Sequence, residues 1–133
     1  MPTHIETVQA LYGAFGRGDI QSILAALRED VEWEHDSVDH GVPWLRPRRG
    51  REAVAGFFAD LGAVEIERFE PRSFLAGGDQ VAAVIWFECV VKATGRRVRD
   101  LEMHLWTFAG DGKVQRFRHL LDTHQYVAAY RGA

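Results

Sequence analysis

Residues 97–122 read RVRDLEMHLWTFAGDGKVQRFRHLLD, two alternating runs separated by Gly110-Asp111-Gly112. Period-two alternation around a glycine-rich turn predicts a hairpin with strands near 97–108 and 113–122. With Gly110-Asp111 at the tip of a tight turn, His104 lies opposite Phe117, Glu102 opposite His119, and Asp100 opposite Leu121. These six side chains then share a face. A one-residue bulge would exchange the faces, so the inference depends on register.

Upstream, residues 81–92 form a further strand, closed by a turn at Ala93-Thr94-Gly95. If Lys92 faces Arg97, then Ile85 lies opposite His104, Phe87 opposite Glu102, and Cys89 opposite Asp100. The shared face gains these apolar neighbours and also Trp106. Apolar walls around a few convergent polar groups are the composition of a small-molecule pocket. The opposite face carries Trp86, Leu101, Met103, Leu105 and Leu120 beside Arg116 and Arg118, and is expected to pack against a second copy in a homodimer.

Further toward the N-terminus, strands are expected near 63–70 and 72–76, with a turn at Gly77-Gly78-Asp79. Val54, Phe57, Phe58 and Leu61 have helical spacing from about residue 51 to Gly62. Residues 36–50, rich in Pro, Gly and Arg, read as a long loop; Arg46, Arg48, Arg49 and Arg51 make it either a solvated surface or a lid over an acidic group. Val31, Trp33 and His35 alternate with Glu32, Glu34 and Asp36, predicting a half-buried strand. Thr3 and Glu6 form a capping-box pattern ahead of Ile5, Val8, Leu11, Tyr12 and Phe15, while Asp19 is placed to cap a second helix with Ile20, Ile23, Leu24 and Leu27 on its apolar face. Three helices and a run of strands predict one α+β domain over 1–133, its helices covering one face of a curved antiparallel sheet around a pocket.

The chain has 133 residues, 47% hydrophobic and 26% charged, which is ordinary for one globular domain and excludes disorder or a fibrous repeat. Its net charge of −3 supplies no basic field, so no nucleic-acid partner is expected. The longest apolar run, Val81 to Phe87, is far short of a membrane span, so no membrane partner is expected either. The start lacks a signal-peptide pattern, and a cytoplasmic location is expected. Cys89, the single cysteine, forms neither an internal disulfide nor a thiolate cluster.

Gly18-Asp19-Ile20 between the first helices, Gly50-Arg51-Glu52 opening the third, and the hairpin from Trp106-Thr107-Phe108 through Gly112-Lys113-Val114 together resemble the SnoaL-like and NTF2-like superfamily. This group includes ketosteroid isomerase, SnoaL-type polyketide cyclases, scytalone dehydratase and limonene epoxide hydrolase. The resemblance covers nearly the whole chain and implies a cone-shaped fold with an enclosed pocket. It places the isomerase base on His35, the oxyanion-hole acid on His104, and the helix-one tyrosine on Leu11, one residue from Tyr12. The Arg and Asp of the epoxide hydrolase fall on Phe87 and Cys89, and its second Asp on His119, so that triad is absent. Asp122 resembles a carboxylate often found at the end of the last strand in SnoaL-like proteins, although the derived register turns it away from the pocket.

Neutral imidazole titrates near pH 6.5, which suits proton transfer near neutrality. The expected catalytic set is therefore His35, His104, His119, Glu102, Asp100 and Asp122, with His35 as base, His104 as acid or donor to an enolate, and Glu102 orienting His119. Tyr12, Trp33, Phe57, Phe58, Phe87, Cys89, Trp106, Phe117 and Leu121 are expected to bind substrate. The reaction class is isomerisation, dehydration or aldol-type cyclisation of an apolar carbonyl or polyketide-like compound, without metal or organic cofactor. Each histidine also has a plain reading as a hydrogen-bonded core residue, and Asp100 and Glu102 as partners of nearby arginines. The alternative is a non-catalytic ligand-binding or dimerisation module of the same fold. A metal site of the three histidines with Glu102 or Asp100 is a further alternative, without a local motif to support it.

Overall fold

A computed structural model of the protein describes residues 2–35 and 38–132. The Thr3 hydroxyl accepts from the Glu6 amide at 3.1 Å and the Glu6 carboxylate from the Thr3 amide at 2.9 Å, completing the capping box of α1 (His4–Gly16). Asp19 caps α2 (Ile20–Ala25) through the Ser22 amide. Leu27, expected on the apolar face of this helix, instead opens strand β1 (Leu27–Glu34).

The loop from 38 to 50 is not an unanchored lid. It contains a 3-10 turn at Pro43–Leu45 and the two-residue strand β2 (Arg48–Arg49). Arg48 donates to the carbonyls of Pro43 and Ala53 and to the Asp60 carboxylate, which fastens the turn to both ends of α3 (Arg51–Asp60). Arg51 donates to the Leu27 carbonyl and ties the start of the same helix to β1.

The strands that follow are β3 (Val64–Gly77), β4 (Gln80–Val91), β5 (Arg97–Phe108) and β6 (Val114–Leu120). The expected break near residue 71 is absent. Pro71 remains within β3 because this is an edge strand, bulged beside the proline, and one side of its backbone needs no ladder partner. The sheet order is β2-β1-β6-β5-β4-β3. Pairing is antiparallel except between β1 and β6, which run parallel and are separated in the chain by α3 and strands β2 to β5; the sheet is mixed rather than wholly antiparallel.

Both hairpins slide by two residues from the expected pairing and keep its faces. The β4–β5 loop closes at Val91 and Arg96, one step back on each strand, so Ile85 lies opposite Glu102 and Ala83 opposite His104. In β5–β6 the loop is one residue longer, and a bulge after Thr107 and Phe108 adds a second; His104 lies opposite His119 and Trp106 opposite Phe117. Two odd shifts cancel in parity.

A fourth helix, α4 (Thr123–Arg131), follows the strand that was expected to end the fold. Its N-cap Asp122 accepts from the Gln125 amide, and the Gln125 side chain pairs with both the N–H and the C=O of Arg99. Gln125 thereby satisfies the β5 edge left open where β6 ends. The core lies between the sheet and the inner faces of α1 and α3, built on Val8, Leu11, Ala14, Val54 and Phe57, with Tyr126 and Ala129 of α4 added.

Candidate active site

The concave face of the sheet and the helices enclose a cavity lined mainly by aromatic and aliphatic side chains. Its walls include Phe15 and Leu11 of α1, Phe57 and Phe58 of α3, Trp33 of β1, Phe69 of β3, Phe87 of β4 and Trp106 of β5. Trp44 and Leu45 close it from the loop, and Trp44 meets Tyr130 of α4 edge-on at 5.7 Å. Five polar side chains gather within it: Tyr12, Glu102, His104, His119 and Tyr126.

Four of the five form a single chain of hydrogen bonds. Trp106 Nε1 can only donate and does so to the Tyr12 hydroxyl at 3.0 Å. The Tyr12 hydrogen then has one acceptor among the described residues, His104 Nδ1 at 2.7 Å. His104 is accordingly protonated on Nε2, which donates to Glu102 Oε1 at 3.0 Å. Tyr126 donates to Glu102 Oε2 at 2.8 Å. Every proton is assigned, and both nitrogens of His104 are engaged.

His119 differs. Its ring stands edge-on to His104, with centroids 5.1 Å apart, and packs on Phe117 at 4.6 Å. Among the described residues it has no hydrogen-bond partner for its ring, although it lines the cavity. Burial, then the nearby His104 and His35, hold its pKa well below the usual imidazole value, so it is neutral at physiological pH. Burial likewise pushes the Tyr12 phenol far above the ordinary tyrosine range, with the Trp106 hydrogen bond opposing and the Glu102 charge adding to the rise. Tyr126 is raised by burial and by Glu102.

Several expected site residues lie elsewhere. His35 is buried beside the cavity, with Nδ1 3.4 Å from the His119 carbonyl oxygen and Nε2 2.8 Å from the Thr123 hydroxyl. It does not line the cavity, so it is not placed as its base. Asp100 accepts from the Asp122 amide at 2.9 Å, and its pKa is raised chiefly by burial. Asp122 caps α4. His35, Asp100 and Asp122 instead border a shallow groove outside, which His119 and Leu121 also reach. Glu102 holds His104 and Tyr126, not His119. Cys89 is buried in the core beneath the cavity, and its thiol is pushed up to about 12, first by burial and then by Glu102 and Glu67. It does not line the cavity. Tyr12, Trp33, Phe57, Phe58, Phe87, Trp106, Phe117 and Leu121 all line the cavity.

Tyr12, one residue from the Leu11 position, is the α1 residue whose hydroxyl reaches His104. Tyr126 was not anticipated. The signal for it was Asp122 as a cap, the apolar spacing of Tyr126, Val127 and Tyr130, and Gly132 beyond the helix end. Among the described residues no cluster of three or more His, Cys, Asp or Glu is arranged to hold a metal ion, and the three-histidine alternative is not assembled. No helix among them is long and apolar enough to cross a membrane.

Helices laid across an open, curved, mixed sheet around a pocket define an NTF2-like α+β protein. Residues 8–117 match the SnoaL-like domain model, and the chain belongs to that family. An NTF2-like protein of Burkholderia xenovorans LB400 is 30% identical, with 96% of this chain and 95% of that one covered at a TM-score of 0.84. An NTF2-like protein of unknown function from Burkholderia pseudomallei K96243 is 25% identical, with 98% of each chain covered and a TM-score of 0.85. TerC, co-crystallised with polyporic acid, is 27% identical over 96% of this chain and 98% of its own, with a TM-score of 0.79. No curated protein matches the chain.

Proposed function

We propose that this protein is a small-molecule acid/base enzyme, an isomerase, dehydratase or cyclase, acting on an uncharged, largely apolar carbonyl compound. The observation that carries the reading is the contrast between two adjacent buried imidazoles: His104 has both nitrogens engaged, while the His119 ring has no partner among the described residues and faces the cavity. A neutral imidazole in a mainly apolar pocket is suited to donating its N–H to a carbonyl oxygen on which charge develops. The proton leaving the adjacent carbon is taken at the neighbouring Tyr12–His104–Glu102 chain. Among the described residues no Lys or Arg lines the cavity, which disfavours an anionic substrate. TerC, with its bound polyporic acid, supports the cavity as a small-molecule site.

Deuterium exchange into enolisable aromatic ketones in heavy water, followed by NMR, tests this. Wild-type protein should catalyse exchange, and His119→Phe should lower the rate by about 10²-fold or more. Ketones that bind without exchanging would favour the non-catalytic ligand-binding module. For the outer sheet face we propose a second copy of the chain as partner.

A further inference from the structure

Hydroxyl, imidazole and carboxylate follow one another in the cavity in the order that activates the nucleophilic or basic oxygen of a catalytic triad. We infer that Tyr12 is the proton-accepting catalytic residue, with His104 receiving the phenol's own proton and Glu102 positioning His104. This rests on the acid/base reading of the same cavity and names the atom at which the transfer begins.

The argument starts from the direction of the hydrogen bonds. Trp106 Nε1 occupies one lone pair of the Tyr12 oxygen, and the Tyr12 hydrogen points at His104 Nδ1, so the oxygen keeps a second lone pair with no donor among the described residues. At rest, Tyr12 accepts from a ligand rather than donating to it. When an acidic C–H or O–H of the ligand gives its proton to the Tyr12 oxygen, the phenol's original proton moves to His104 Nδ1. Tyr12 remains a neutral phenol throughout, and His104 becomes an imidazolium. The ligand carries the electron pair as an enolate or phenolate. Charge therefore never resides on the phenol, whose ionisation burial opposes.

The imidazolium is accommodated because its Nε2–H already meets a carboxylate buried with it, and Tyr126 holds that carboxylate at its other oxygen. The titratable groups facing His104 are Tyr12, Glu102 and His119, with Tyr126 behind Glu102. His119 is neutral and leaves Glu102 as the single countercharge among them. Reprotonation of the ligand at another carbon reverses the transfer through the same oxygen, which returns the site to its starting state without an outside acid.

Para-nitrophenol is a probe whose ionisation is visible directly. It is added well below the pH at which the free compound ionises, with binding followed independently by tryptophan fluorescence. Bound to wild type it should show the phenolate band, and Tyr12→Phe and Glu102→Gln should each lower the phenolate fraction at least tenfold. A fully protonated bound probe in wild type, or a band that survives in Tyr12→Phe, overturns the assignment. Imidazole ¹⁵N spectra provide a second measurement that needs no ligand. His104 should be neutral and protonated on Nε2, and Glu102→Gln should redistribute that tautomer, whereas a resting imidazolium or an Nδ1–H form overturns the assignment. These readouts do not depend on turnover, so ketone exchange can fail while probe ionisation succeeds, and the reverse.

Discussion

Tyr126 of the last helix donates to Glu102 Oε2 at 2.8 Å, and this bond joins α4 to the polar end of the cavity. Both residues are almost wholly buried. Tyr126→Phe keeps the ring and removes the donor. It should destabilise the fold by about 1–3 kcal/mol, the cost of leaving a buried acceptor unsatisfied, as measured by urea unfolding. A loss within error of zero would mean that the bond contributes nothing to holding Glu102.

The depressed pKa of His119 makes a pH prediction with a definite sign. Below about pH 6.5 the unfolded chain binds a proton at this residue, while the folded chain, which buries the ring, does not. The unfolded state then binds more protons, and stability falls as pH falls. The contribution of His119 is fully present above the unfolded pKa and is lost progressively below it, with a slope of up to about 1.4 kcal/mol per pH unit. In unfolding free energies measured between pH 7.5 and 5, roughly the window set by the histidine pKa, wild type should fall relative to His119→Phe toward the acid end. Parallel curves would show that the ring takes up its proton in the folded state.

The strand faces were legible because side-chain parity survives any even slip, and the burial of Phe87, Glu102, His104, Trp106, Phe117 and His119 follows from alternation alone. Their partners were not legible, because loop length and the bulge after Thr107 are set by backbone geometry that alternation does not encode. Glu102 shows the consequence. Its face was correct, but a two-residue slide removed His119 from the position opposite it, and the actual partner, Tyr126, came from a helix of only nine residues beyond the last expected strand. His35 shares the parity of Trp33 yet lies past the end of β1, where alternation no longer fixes what a side chain reaches.

Gly56 and Gly13 should respond oppositely to alanine. Both lie within helices, where alanine is favoured by about 1 kcal/mol. A Cβ at Gly13 would meet Arg17 Nη1 at 3.4 Å, the end of an exposed side chain that can move, so Gly13→Ala should stabilise by up to about 1 kcal/mol. At Gly56 the added carbon would lie 2.9 Å from Arg48 Nη1. That guanidinium is pinned by Pro43, Ala53 and Asp60, so yielding breaks contacts that hold the 43–49 segment. Gly56→Ala should lower the unfolding midpoint despite its better helix propensity. A rise like that at Gly13 would show that Arg48 moves without cost.

On the outer face Met103 lies opposite Leu120, and Leu101 is beside them; all three are exposed. Arg116 and Arg118 at the edge of this patch are paired with Glu32 and Glu34, so the flank presents little net charge to repel a copy of itself. An apolar strip with neutral flanks fits an isologous pair. Light scattering should give the mass of two chains for wild type and of one chain for Leu101→Lys with Leu120→Lys. A wild type that stays monomeric at micromolar concentration would remove the second copy as the partner of this face.

Trp33 and Trp106 provide a matched comparison within the cavity wall. Each is 3% exposed and packs against Phe117, but Trp106 Nε1 donates to Tyr12 while Trp33 Nε1 has no partner among the described residues. Replacement by phenylalanine removes similar volume from both sites, so the cavity costs are comparable and the difference reports the N–H. Trp106→Phe also removes the donor that fixes which way the Tyr12 hydrogen points, leaving the O–H free to turn away from His104. Trp33→Phe removes a polar group that already lacks a partner, which offsets part of its packing loss. Urea unfolding should therefore place Trp106→Phe below Trp33→Phe by about 1–3 kcal/mol, the scale of an unsatisfied buried polar group. Equal losses would mean that the Trp106–Tyr12 bond does not order the chain of donors leading to His104.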